Sequence, residues 1–238
     1  MTYNIHSGVG LDQRYDLGRI RRVLNEERPD IAALQELECG SAPTLHDDQS
    51  AVLAGDLALS SSYCPTRPAG QGSFGIGVLS AFPVLHQQQY DLSYPRGREP
   101  RFCLRVDLEI ARGAVLHVFT CHLGLGPRER TFQRKQMVSD AILLSRDLRH
   151  PVVLMGDFND RPIPVVHRDL RKHFTDAFAA AGKRGAPTFK VGPVSLRLDH
   201  VYVSDGIRVL DCWVRNDQLT RVASDHRPVI ATVEVTWR

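Results

Sequence analysis

The 238-residue chain has no C-x-x-C pair, and its five cysteines, Cys39, Cys64, Cys103, Cys121 and Cys212, are odd in number and widely spaced. That pattern argues against a disulfide framework and against a thiolate zinc site, and it fits thiols held reduced in the cytoplasm. Long apolar runs are also missing. Val152-Val153-Leu154-Met155 is four residues long, whereas a helix needs about 20 to cross a bilayer, so no stable membrane insertion is expected. No charged-then-apolar leader precedes Asn4, and the first strand starts almost at Met1, so abruptly that a leader or half a strand before it is left open. Neither sign of charge dominates, since 30 Lys+Arg against 27 Asp+Glu leave +3 with a pI of about 8.7. A nucleic-acid footprint is read from clustering and a pI above about 9, so net charge does not choose the partner. What remains, 42% hydrophobic and 24% charged residues with 18 Gly and 14 Pro, is an ordinary globular composition.

Helix and strand signals alternate along the whole chain without a linker, repeat or charge block, which predicts a single domain over residues 1–238. Asp16 stands where an N-cap belongs, and Ile20, Val23 and Leu24 share one face before Arg28-Pro29, giving a helix over 17–28. A strand follows at 31–34, and Asp47 and Asp48 can cap a second helix carrying Val52, Leu53 and Leu57. Segments 61–66, 74–80 and 84–91 read as extended. Phe102, Leu104, Val106, Leu108 and Ile110 alternate with the period of a half-buried strand, and 115–121 is its expected antiparallel neighbour. Pro127 and the spacing Val138, Ala141, Ile142, Leu148 predict a long helix over about 128–148. A strand at 152–155, a short helix near 163–171, an irregular stretch at 182–193 and strands at 196–203, 207–214 and 228–236 complete the reading. Two sheets with outer helices fit this order.

Five polar clusters fall at predicted strand ends: Tyr3-Asn4-Ile5-His6, Gln35-Glu36, Gly156-Asp157-Phe158-Asn159-Asp160, Asp199-His200 and Ser224-Asp225-His226-Arg227-Pro228. Loops at one rim of a sheet let polar side chains converge without deep burial. Taken singly, each of these residues is an ordinary turn or cap residue. Together they offer hard Asn, Asp and Glu oxygens, which suit Mg²⁺ or Mn²⁺, while clustered Cys or paired His for zinc are lacking.

The ordered set Asn4, Gln35-Glu36, His122, Gly156-Asp157-Phe158-Asn159, Asp199-His200 and Ser224-Asp225-His226 resembles the endonuclease/exonuclease/phosphatase family, the superfamily of DNase I, exonuclease III and neutral sphingomyelinase. It spans nearly the whole chain, and G-D-F-N with S-D-H in this order is specific. The Tyr-Asn-Ile-His-Ser-Gly opening is similar to that of small bacterial-type members, described only as metal-dependent hydrolases. The resemblance implies an α+β, four-layer α/β/β/α sandwich of the DNase I-like kind. It further implies Glu36 as principal metal ligand with Asn4 and Asp225 near the same Mg²⁺ or Mn²⁺ ion. Asp157 would orient or deprotonate the attacking water, and Asn159 would donate to the nucleophile or a phosphate oxygen. His226 would bind the phosphate with Asp199 as its partner, and His122 is a second histidine on the phosphate side. Arg101 is a candidate phosphate contact, Arg130 and Gln133 are expected to support the His122 loop, His200 should face away, and His6 either borders the site or caps a loop.

The implied reaction is metal-assisted attack of water on a phosphodiester. Arg67, Arg96, Arg98, Arg101, Arg128, Arg130, Arg161 and Arg197 lie on predicted loops or strand ends and can track the phosphates of DNA or RNA, so a nuclease-type phosphodiesterase leads. The short loops supply no aromatic wedge for duplex distortion. A phospholipid or sphingomyelin-type enzyme, or a phosphatase for small phosphoesters, is the alternative. It calls for an exposed apolar hairpin, and no clustered exposed aromatics are evident. A non-catalytic binding module on the same fold would have lost its acidic or histidine residues, and here they are present. A monomer is expected.

Overall fold

The computed structural model describes residues 1–97, 99–160 and 165–236. Its strands and helices, in chain order, are β1 (Thr2–Asn4), α1 (Leu17–Glu27), β2 (Ile31–Cys39), α2 (Gln49–Leu57), β3 (Ser60–Ala69), β4 (Gly72–Ser80), β5 (Val84–Asp91), β6 (Phe102–Ala111) and β7 (Ala114–His122). There follow α3 (Pro127–Met137), β8 (Val152–Asp157), α4 (Val165–Leu170), β9 (Thr175–Asp176), α5 (Ala177–Ala180), β10 (Phe189–Val191), β11 (Val194–Leu196), β12 (Asp199–Val203), β13 (Ile207–Val214), α6 (Gln218–Ala223) and β14 (Val229–Val235). Two six-stranded sheets form, in the orders β13-β14-β1-β2-β4-β3 and β5-β6-β7-β8-β12-β9, and β10 and β11 make a separate hairpin.

The alternation in β6 works as expected. Leu104, Val106 and Leu108 join Ile76, Val78, Val118, Val153 and Val201 in a core between the sheets. A second core lies on the outer face of the first sheet, where Ile20, Val23 and Leu24 of α1 and Leu53 of α2 cover Ala32 and Leu34. A third lies outside the other sheet, with Met137, Ile142, Leu143, Val166 and Leu170 over Phe119, Leu154 and Tyr202. These three apolar interfaces produce the α/β/β/α layering of a mixed α+β fold. Among the described residues no helix is long and apolar enough to cross a membrane.

Several elements depart from the sequence reading. The helix expected over 128–148 ends at Met137. Val138 takes a non-helical ψ of 65°, and the Ser139 hydroxyl donates to the Gln136 carbonyl and accepts from the Ala141 N–H, competing with the helical ladder. Ile142 and Leu143 still reach the core, so the apolar spacing reports burial rather than continued helix. The strand expected to end at 34 runs to Cys39 through a bulge, and that expected over 196–203 is divided between β11 and β12. The irregular 182–193 stretch contains β10. Asp16 occupies the N-cap position of α1, but its carboxylate pairs with Arg19 at 3.1 Å instead of capping. Asp48 does cap α2, accepting from the Ala51 N–H.

Candidate active site

Three neighbouring strands of the second sheet end in one row. His122 pairs in register with Asp157 across β7 and β8, and Asp157 with Asp199 across β8 and β12. Directly opposed residues point to the same face, so these three side chains meet at the mouth between the sheets. The approach demands Gly156, whose φ is 154° and where a Cβ would stand 2.2 Å from the Cys121 carbonyl oxygen. From the first sheet comes Glu36, with φ of 58° at a bulge between Gln35 and Leu37. A bulge re-aims a side chain out of strand alternation, and here it sends Glu36 to the mouth while Gln35 turns inward to bond Thr2 and Thr120. Asn4, at the end of β1, donates from Nδ2 to Glu36 at 2.8 Å and to Asp157 at 3.1 Å, linking the two sheets.

His226 arrives on the loop between α6 and β14. The Ser224 hydroxyl donates to the Asn4 carbonyl and accepts from the His226 N–H. Arg227, buried behind the loop, donates from one nitrogen to the carbonyls of Ser224 and His226, each at 2.9 Å. So held, the imidazole places Nδ1 2.7 Å from Asp199 and Nε2 3.7 Å from Asp157. Burial works against its charge, yet the carboxylates of Asp199 and Asp157 outweigh it and push the imidazole up to about 10. Asp157 is pushed up to about 7, chiefly by burial, with Asp199 adding to the rise and His226 opposing it. His122, with Nε2 3.5 Å from Asp157, is pushed the other way, well below its ordinary value, by burial and then by the charges of Arg101 and His226. The site therefore holds one charged and one neutral imidazole.

Glu36, His122, Asp157, Asn159, Asp225 and His226 line a cleft of about 630 Å³, with His6 and Arg101 on its walls. Asn4 and Asp199 are fully buried and lie beneath this lining. Asn159, at φ 48°, ties one amide N–H to the Leu123 carbonyl, and its backbone N–H donates to Asp157. His6 does both things expected of it, since it lines the cleft and its Nδ1 sits 2.9 Å from the Val9 carbonyl. His200 faces away, toward Asp176. Gln133 accepts from the Gly124 N–H while Arg130 donates to the carbonyls of Gly124 and Leu125, fixing the turn after His122.

The donor chemistry suits a hard divalent cation. Glu36 and Asp225 present carboxylate oxygens to the open cleft. Ligand-capable atoms of Asp157, Asp199 and His226 also lie within 4.8 Å of one another, with Nδ1 of the imidazole already engaged by Asp199 at 2.7 Å. Oδ1 of Asp199 is buried and has no hydrogen-bond partner among the described residues. Asn4 turns its NH₂ to Glu36, and its Oδ1 accepts from the His6 N–H. In this arrangement it orients the carboxylate and offers an oxygen only by turning over.

Phe189 was not legible as a site residue, being one aromatic in a Gly/Pro-rich stretch. Its backbone bridges to His226, and its ring meets the imidazole edge-on with centroids 5.0 Å apart. The expected basic surface is divided. Arg67 and Arg101 line the cleft, and Arg96 and Arg128 line an adjoining one. Arg130 is buried on backbone carbonyls and Arg197 pairs with Asp176 at 2.9 Å, so neither serves that surface. Arg98 and Arg161 lie outside the described residues.

A family model described as "Endonuclease/Exonuclease/phosphatase family" matches residues 1–226. The chain belongs to the endonuclease/exonuclease/phosphatase family. Members of this family are in general phosphoester hydrolases and usually depend on a divalent metal. The chain is 29% identical over 251 aligned positions to the uncharacterized protein YbhP of Escherichia coli K12, covering 99% of this chain and 95% of that one. Among solved structures, a family protein from Beutenbergia cavernae superposes with a TM-score of 0.78 at 24% identity, covering 99% of this chain and 70% of that one. The human nocturnin catalytic domain with bound sulfate superposes at 0.78 and 18% identity, over 98% and 92% of the two chains. These likenesses establish the DNase I-like fold of the family, two large sheets with few helices.

Proposed function

We propose that the chain is a Mg²⁺- or Mn²⁺-dependent phosphodiesterase of nuclease type, acting on a DNA or RNA phosphodiester. The observation that carries the reading is the His226 imidazolium fixed between Asp199 and Asp157 at the floor of a cleft whose rim bears Glu36 and Asp225. The ion would be held by Glu36 and Asp225, with Asn4 orienting Glu36. When bound, it polarises the phosphoryl group and stabilises charge on the leaving oxygen. Asp157, poised about neutrality by burial, takes the proton of an attacking water. The backbone N–H of Asn159 fixes one Asp157 oxygen for that task, and its free amide N–H donates to the nucleophile or a phosphate oxygen. His226 donates from Nε2 to the phosphoryl oxygens as charge grows on them, and Asp199 keeps the ring charged and correctly turned. Neutral His122 donates to a second oxygen, and Arg101 lines the cleft wall beyond it.

The nuclease direction is supported by a likeness in fold to a zebrafish TDP2 structure described as complexed with a single-strand DNA product, at 20% identity and a TM-score of 0.73, over 98% and 97% of the chains. One feature favours a lipid headgroup instead. The β10–β11 hairpin, attached to the site through Phe189, exposes Val191 and Val194 near its tip, a small apolar surface of the kind an interfacial enzyme presents. A panel of single- and double-stranded DNA, RNA, sphingomyelin, phosphatidylinositol phosphates and a chromogenic phosphodiester, assayed with Mg²⁺, tests the choice. Cleavage of polynucleotides supports the proposal, and cleavage of lipids alone reverses it.

A further inference from the structure

The lining of the cleft includes a group of side chains that the proposed reaction does not use. Glu99 divides its carboxylate between two guanidiniums. Its Oε2 accepts from Arg101 at 3.0 Å, and its Oε1 lies 3.7 Å from Nε of Arg67, an ion pair too long for a hydrogen bond. Arg101 is 7% exposed, and its Nε is buried without a hydrogen-bond partner among the described residues. The Nε of Arg67 is likewise buried and lacks a hydrogen bond, while its guanidinium lies over the Phe74 ring with 4.3 Å to the centroid. A guanidinium stacked on an aromatic face keeps its charge and its edge donors for a ligand in the ring plane. Buried N–H donors without acceptors are costly, and a phosphate oxygen is the acceptor that planar guanidinium edges fit best.

Position adds to chemistry. Arg67, Glu99 and Arg101 all line the catalytic cleft, and Glu99 and Arg101 also line the adjoining cleft of about 610 Å³ that carries Arg96 and Arg128. Two guanidiniums here share the one carboxylate of Glu99, and Glu38, which also lines the cleft, is engaged by the Ser41 hydroxyl, while in the proposed reading Glu36, Asp157 and His226 provide for the scissile phosphate.

We propose that Arg67 and Arg101 form a subsite for a second phosphate flanking the scissile one, with Glu99 as the internal anion that the substrate displaces from their donors. The substrate class is then a phosphodiester carrying a neighbouring phosphate, and an oligonucleotide strand and a phosphorylated inositol headgroup share that chemistry. The inference rests on the proposed phosphodiesterase reading of the same cleft.

The test compares a dinucleoside monophosphate with the same dinucleotide bearing a terminal phosphate, and a glycerophosphoinositol with its ring-phosphorylated form, all with Mg²⁺. The readout is the ratio of kcat/KM with and without the flanking phosphate. In the wild type the ratio is expected to exceed about tenfold for the source the enzyme uses. It should fall toward one in Arg67→Gln and in Arg101→Gln, recover in part in Arg101→Lys, and rise in Glu99→Gln, an opposite sign that general damage does not produce. Arg67, half-exposed, serves where the buried Arg101 variant fails to fold. A ratio near one in the wild type, or one retained in both arginine variants, overturns the proposal. Calorimetric binding of the same pairs to the Asp157→Asn protein separates the two readings. If nothing is hydrolysed yet the flanking phosphate still tightens binding through Arg67, the phosphodiesterase reading fails and the subsite stands, and equal binding with and without that phosphate refutes the subsite.

Discussion

His226 shows how a single residue acquires its role from its neighbours. An isolated buried imidazole is neutral, and this one is held charged because Asp199 grips Nδ1 at 2.7 Å while Asp157 faces Nε2. Replacing Asp199 with Asn keeps the shape and removes the charge. Hydrolysis should then fall about a hundredfold or more, with the His226 ring titrating below its present value of about 10, which NMR of the imidazole protons would follow. A ring still titrating there would contradict the account. Away from the site, Asp107 makes a pH prediction. Burial works against its charge, but His117 at 2.7 Å and two Arg105 donors at 2.8 Å outweigh it and hold the carboxyl below its ordinary range. A pKa lowered by folding gives stability that is present above the unfolded value, about 4, and lost as the pH falls through the folded one. Thermal melts should therefore show Tm declining from about pH 4 downward, and Asp107→Asn should be less stable at neutral pH with a shallower acid decline. A parallel decline in the two proteins would contradict this.

At the scale of elements, the site depends on how closely β7 and β8 approach. Gly156→Ala sets a Cβ against the Cys121 carbonyl and should cost about 1–3 kcal/mol. A fall in Tm measures this, and an unchanged Tm would mean the strands are not so close. The Gly-Asp-Phe-Asn and Ser-Asp-His clusters were legible in the sequence because their chemistry is local and their order is that of the family. Elements with plain alternation or a firm cap, such as β6, β13 and α2, were legible for the same reason. The bulge at Glu36 was not, since it is decided by pairing with β4, where Gln35 opposes Ile76 and Leu37 opposes Gly75. The end of α3 was hidden because Ile142 and Leu143 keep helical spacing while reaching the core through a turn closed by Ser139. Phe189 and the Arg67–Glu99–Arg101 group come together only through tertiary packing, and no local pattern announces them.

Taken as a whole, the molecule is a sandwich whose chemistry sits where the two sheets meet at one end. Asn4 and Glu36 come from one sheet and His122, Asp157 and Asp199 from the other, and Asn4 joins them through hydrogen bonds to Glu36 and Asp157. Burial of Asp157 and Asp199 beneath an acidic rim would be unfavourable without compensating positive charge. His226 supplies part of it, and in the proposed reading a divalent cation held by Glu36 and Asp225 supplies the rest. The most direct measurement of that claim is the rate of hydrolysis of a chromogenic phosphodiester by EDTA-treated protein as Mg²⁺ is titrated back, for the wild type, Glu36→Gln and Asp157→Asn, with melts confirming that each is folded. The account predicts no rate without the ion, saturable recovery in the wild type, recovery in Glu36→Gln only at Mg²⁺ concentrations higher by about tenfold or more, and none in Asp157→Asn. A full rate in EDTA, or an Asp157→Asn protein as active as the wild type, would contradict it.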